Sequence, residues 1–153
     1  MPTHPPKELL RIEFFSDALF AIIITLMALE LHPPEGHSVT DLFPLVPVLM
    51  SYTLSFVYLI IYWNNHHHLM RAISKPTGAI MWANAHLLFW LSLVPFSTAW
   101  LGQSGGQPMP ALLYGISLLC PAIAYVILQS AIIHAQGRHS QLKKALGRDI
   151  KGK

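Results

Sequence analysis

Residues 11–31, Arg11-Ile-Glu-Phe-Phe-Ser-Asp-Ala-Leu-Phe-Ala-Ile-Ile-Ile-Thr-Leu-Met-Ala-Leu-Glu-Leu31, decide the fold. From Phe14 to Leu29 the run is apolar except for Ser16, Asp17 and Thr25. Its length matches the roughly 20 residues, about 30 Å of helix, that cross a bilayer. It therefore predicts a transmembrane helix with a carboxylate near its start. A charge at such a depth costs about 2.5 kcal/mol or more and faces protein or water, which makes Asp17 the first functional candidate. At about 100° per residue, Ala18, Ile22, Thr25, Leu26 and Leu29 fall on one stripe, continued by Phe15 and Arg11, with Ser16 and Asp17 off it. Were copies of this helix to meet around an axis, the aliphatic stripe would line the centre, and Ser16 and Asp17 would face neighbouring helices. Periodicity alone is equally satisfied by an ordinary packing face.

The rest of the chain repeats the membrane pattern. Of 153 residues, 53% are hydrophobic and only 11% charged, far from the balance of a soluble domain. A second span is expected over 44–63, ending in Tyr58, Tyr62 and Trp63, an aromatic belt that passes into Asn64, Asn65, His66, His67 and His68. A third covers 80–101, where Pro95 is expected to kink the helix and Ser97 or Thr98 to bond to the carbonyl it frees. A fourth covers 111–134 and is expected to be interrupted at Pro121. The first span is too long for the apolar core of a signal peptide and lacks a small-residue cleavage site, so it is expected to be retained. The fold class is all-α: a four-span integral membrane bundle forming one domain.

All ten lysines and arginines lie on one side of such a bundle. Lys7 and Arg11 precede the first span, Arg71 and Lys75 join the second and third, and the remaining six follow the fourth in the basic tail 135–153. The positive-inside rule places both termini and the histidine cluster in the cytoplasm, and the expected location is the plasma membrane. This distribution explains the basic balance without nucleic acid. The tail would either touch anionic headgroups or stand as a solvated charged end. A single cysteine, Cys120, permits no intrachain disulfide.

Four short pieces in order resemble the transmembrane protein 175 family, the endolysosomal potassium channel and its bacterial relatives. They are R-I-E-F-F-S-D-A-L-F-A-I-I-I-T-L from Arg11, Y-W-N-N-H-H at 62–67, A-N at 83–84 and P-F-S-T at 95–98. The resemblance implies a potassium-permeable cation channel built as a homo-oligomer, a tetramer being the expected state, with first helices around a central pore and potassium as the permeant ion. It puts Ile22, Leu26 and Leu29 on stacked hydrophobic constrictions, with Thr25 beside them. Arg11, Ser16, Asp17, Trp63, His66, His67 and Asn84 become a polar network behind that ring. The chain has no T-V-G-Y-G loop of carbonyl oxygens, so any selectivity must come from a narrow aliphatic ring and polar side chains held at a fixed radius. The family's bacterial members usually carry two further spans, so this chain is expected to be a shortened or truncated member.

Other chemistry is less well supported. His66, His67 and His68 with His86 and His134 raise a haem or metal site. Three adjacent histidines point in different directions on a helix, however, and lack an i, i+4 partner or a cysteine or carboxylate companion, so no metal or cofactor is expected. The chain shows no nucleophile motif or phosphate-binding glycine loop, and the one carboxylate pair, Glu13 and Asp17, would sit badly together if both were buried and unpaired. The reading is therefore not enzymatic. The alternative to a channel is a non-conducting membrane scaffold or a small secondary transporter, since transporters favour broken helices.

Overall fold

The computed structural model describes residues 6–136. Helix α1 spans Lys7–Leu29, a 3-10 segment over Val39–Leu45 leads into α2 (Val46–Arg71), and α3 (Gly78–Ser92), α4 (Val94–Gln103) and α5 (Pro108–Gln136) follow, with no strand among the described residues. Four stretches are long and apolar enough to cross a bilayer: α1, the 3-10 segment with α2, α3 with α4, and α5. Most of the expected basic tail, residues 137–153, lies outside the described residues.

The helix boundaries follow from local chemistry. Helix α1 stops at Glu30, three residues before Pro33; the residue ahead of that proline, His32, is driven out of the α region, so the helix cannot continue through it. Ser38 then caps the 3-10 segment: its hydroxyl accepts the Thr40 N–H, and the Asp41 carboxylate accepts the Ser38 N–H at 2.9 Å. Pro47 falls in the first turn of α2, where its missing N–H leaves nothing unpaired. Between α4 and α5 the chain reverses through Gly105 and Gly106, at φ +63° and +83°, a conformation that a side chain would strain. Thr77 caps α3, accepting the Ile80 N–H.

The two inner prolines behave differently. The third span breaks at Leu93, between α3 and α4, next to Pro95. Neither hydroxyl returns to the interrupted turn as expected: Ser97 donates to the Val94 carbonyl and pairs with Ser117, while Thr98 pairs with Ser55 on α2. At Pro121 the expected interruption is absent, and α5 runs through it as one helix. Tyr58 on α2 donates to the Leu118 carbonyl at 2.6 Å, one residue from the Ser117 carbonyl that Pro121 cannot serve, so α2 is bonded to α5 beside the proline.

Packing divides α1 into two faces. Leu9, Ser16, Phe20, Ile23 and Met27, spaced seven, four, three and four residues apart, are buried against the other helices. The core continues through Leu59 and Met70 on α2, Ile80, Leu87 and Leu91 on α3, Val94 on α4, and Leu128 and Ile132 on α5. Helix α3 packs chiefly on α5 and α2 on α4, leaving α1 against α2, α3 and α4 with its opposite side uncovered.

Candidate functional site

The uncovered side of α1 is the stripe read from the sequence. Arg11, Phe15, Ala18, Ile22, Thr25, Leu26 and Leu29 are all exposed on the single chain. Such a row of large apolar side chains is covered by lipid or by protein when the chain sits in a membrane. Thr25 is its one hydroxyl between Ile22 and Leu26. Its Oγ1 donates to the Ala21 carbonyl at 2.8 Å, which uses the proton and leaves the oxygen lone pairs free.

The buried side of α1 carries polar anchors. Ser16 is fully buried; its hydroxyl donates to the Ile12 carbonyl at 2.8 Å and accepts from Asn84 Nδ2 on α3 at 3.0 Å. Asn84 Oδ1 lies 2.7 Å from Nε2 of His66 on α2, also fully buried, so one amide ties three helices together. Beside this relay, Trp63 Nε1 donates to Asp17 Oδ1 at 3.0 Å, and one turn along, His67 Nδ1 stands 3.0 Å from Glu13 Oε1. Glu13 and Asp17 are four apart on α1, and Trp63 and His67 are four apart on α2, so the pairs form two rungs. The Trp63 and His67 rings are 6.3 Å apart and stack at 25°.

Of the residues expected in the network, Ser16, Asp17, Trp63, His66, His67 and Asn84 come together. Arg11 does not join them: it is exposed, has no ion-pair partner among the described residues, and lines an open groove of about 550 Å³ with Glu8, Phe15, Met81 and Ala85. Its place on the stripe, three turns from Ile22, explains the separation. Glu13 is the member that sequence reasoning missed. Its spacing from Asp17 signalled repulsion, but the matching spacing of Trp63 and His67 could have signalled two partners.

A second polar cluster was not foreseen. On α2, Ser55 pairs with Thr98 at 2.7 Å and with the Tyr114 hydroxyl at 2.9 Å, and Ser97 pairs with Ser117 at 2.6 Å, joining α2, α4 and α5. Among the described residues no group of three or more histidine, cysteine or carboxylate side chains is placed to hold a metal.

The chain as a whole is similar to known proteins in sequence and fold. The family model for the endosomal/lysosomal potassium channel TMEM175 matches residues 11–95. A potassium channel of Chryseobacterium sp. (strain P1-3) is 52% identical over 136 residues, which cover 89% of this chain and 71% of that protein. A potassium channel of Chamaesiphon minutus is 36% identical over 99 residues, and the match spans 61% of this chain and 49% of that protein. The crystal structure of a lysosomal potassium-selective channel TMEM175 homologue from Chamaesiphon minutus superposes with a TM-score of 0.80 at 30% identity, covering 94% of this chain and 79% of the other. An all-helical chain with four membrane-spanning helices and these likenesses is a multi-pass membrane protein of the ion-channel class. It belongs to the TMEM175 potassium-channel family, whose members are channels and not enzymes.

Proposed function

We propose that this chain forms a potassium-permeable channel as a homo-oligomer, most simply a tetramer, with α1 of each copy lining a central pore. The observation that carries the reading is the division of α1. One face is pinned to α2 and α3 by Ser16, Asp17 and Glu13, and the opposite face presents Phe15, Ile22, Leu26 and Leu29 uncovered. One chain has too little polar surface for its own aqueous path, and closure of identical faces around an axis supplies one.

In this assembly Ile22, Leu26 and Leu29 form stacked aliphatic rings, with Thr25 between the first two. The rings offer no oxygen, so an ion crossing them loses part of its hydration shell, and the radius of the ring decides which ion loses least. The anchors behind α1 hold that radius. The basic residues at the α1 start and the α2–α3 loop support a reading, by the positive-inside rule, in which this end is cytoplasmic and the protein sits in the plasma membrane. Potassium is the permeant species and the chain needs no cofactor.

The second reading, a small secondary transporter, is favoured by one observation, the break of the third span at Leu93. A non-conducting scaffold is the limiting case. Potassium flux from liposomes containing the purified oligomer separates these. Fast flux with resolvable unitary currents supports the channel, slow saturable exchange supports the carrier, and folded oligomer with no flux above empty vesicles rejects both.

A further inference from the structure

One polar atom of the anchor has no partner among the described residues: Nδ1 of His66, which is fully buried. The directions of the bonds around it follow from the single proton of Ser16. That proton goes to the Ile12 carbonyl, so Ser16 Oγ must receive Asn84 Nδ2–H. The amide is thereby oriented with Oδ1 toward His66, and because a carbonyl oxygen only accepts, Nε2 carries the ring proton. Nδ1 is then a bare lone pair. The reversed amide would present N–H to Nε2 and force the proton onto Nδ1, making a buried donor with no acceptor, the costlier orphan.

We propose that this relay is a proton-operated latch: His66 holds α1 only as the neutral Nε2–H tautomer, and a proton added at Nδ1 releases α1 from α2 and α3. The added N–H would be buried without an acceptor, and the imidazolium charge with it. The charged or titratable groups near His66 are Glu13 and Asp17 on α1 and His67 on α2; the contribution of α3 is the neutral Asn84. Both carboxylates are already engaged, by His67 and Trp63, so neither reaches Nδ1 while the helices stay packed. Phe20, with its ring centroid 5.7 Å from that of His66, closes the α1 side. Only separation of α1 from α2 lets water or a carboxylate accept the new proton. His67 works in the opposite sense, because a proton there strengthens its pair with Glu13.

The test uses the full chain in liposomes, with pH lowered on both sides from about 8 to about 5, the range in which histidines change charge. Ring nitrogen NMR is expected to show His66 as the neutral Nε2–H form at the upper end; a neutral Nδ1–H form or a charged ring there overturns the proposal. Spin labels at the exposed Phe14 and Asn64 positions are expected to move apart on acidification, and an unchanged separation overturns it. Potassium flux is expected to fall by about threefold or more, a response within reach of one titrating histidine. His66→Gln, whose amide still donates to Asn84 but takes no proton there, is expected to flatten the response, and His67→Gln to steepen it. An equal fall in His66→Gln overturns the latch. The flux arm rests on the channel reading, so absence of flux at every pH counts against that reading, while the ring and label measurements on the wild-type chain still decide the latch if His66→Gln fails to fold.

Discussion

Ile22 and Ile23 are adjacent in sequence and lie on different faces of α1: Ile22 is 54% exposed and Ile23 only 2%. One residue step of about 100° separates a side chain facing the outside of the bundle from one sealed in its core. The same chemistry thus has two roles set by position alone, and the pair forms an internal control for any claim about the exposed face.

Truncating the buried member should disturb packing. Ile23→Ala leaves a void in the core beside α1, with an expected loss of about 2 kcal/mol or more. Because lipid is as apolar as the core, the loss comes from forfeited contacts rather than from water. Thermal unfolding of the detergent-solubilised protein measures it. A melting temperature equal to the wild type's would show that the site is not packed as described.

The Ser16–Asn84–His66 relay makes a graded prediction. Ser16→Ala removes one hydroxyl and leaves Asn84 Nδ2 without its acceptor, while Asn84→Ala strands both Ser16 and the His66 Nε2–H. Each lost bond is worth about 1 kcal/mol, more where a buried donor is orphaned, so Asn84→Ala should cost roughly twice Ser16→Ala. In the double variant the losses should fall short of their sum, since the two residues share a bond. Strict additivity would contradict the relay.

Gly102 permits a close approach of α4 to α2. A Cβ there would lie 2.8 Å from the Val48 backbone Cα and 2.7 Å from Ser51 Oγ, so Gly102→Ala must push the helices apart. The expected loss is about 1–3 kcal/mol, as for overpacking elsewhere, and it should weaken the neighbouring Ser55–Thr98 bond. Urea or thermal melts of Gly102→Ala against Gly115→Ala, where a Cβ meets nothing within 4 Å, provide the comparison.

Much of this was legible in the letters, for reasons that differ by residue. Apolar runs of spanning length mark the four spans, because backbone groups in a bilayer must be bonded within a helix. The α1 stripe was legible because 3.6-residue periodicity fixes which side chains share a face. Whether that face is covered was not, since coverage depends on how α2, α3 and α4 choose the other side. Asp17 announced a need for a partner, but the partner, Trp63, lies 46 residues away and is chosen by helix register. Arg11 looked like a natural mate for Asp17 by charge, yet six positions along a helix place it about 120° away around the axis, and it stays outside the anchor. Pro121 gave a false signal: a proline alone predicts an interruption, and the Tyr58 hydroxyl at the Leu118 carbonyl is invisible until the helices are packed. Ser55, Ser97, Thr98, Tyr114 and Ser117 carry no spacing signature, because their cluster exists only between helices.

The central claim, that α1 presents Ile22 to the ion path, is tested most directly by reversal potentials under opposed potassium and sodium gradients for Ile22→Ser and Ile23→Ser. A smaller, polar side chain at 22 should widen and wet the ring, raise conductance and move the reversal potential toward a sodium-permeable value. The same change at 23 should lower stability and leave ion preference as it was in the channels that survive. An Ile22→Ser channel with wild-type selectivity and reduced stability would contradict the account, placing Ile22 in a packing interface and the ion path elsewhere.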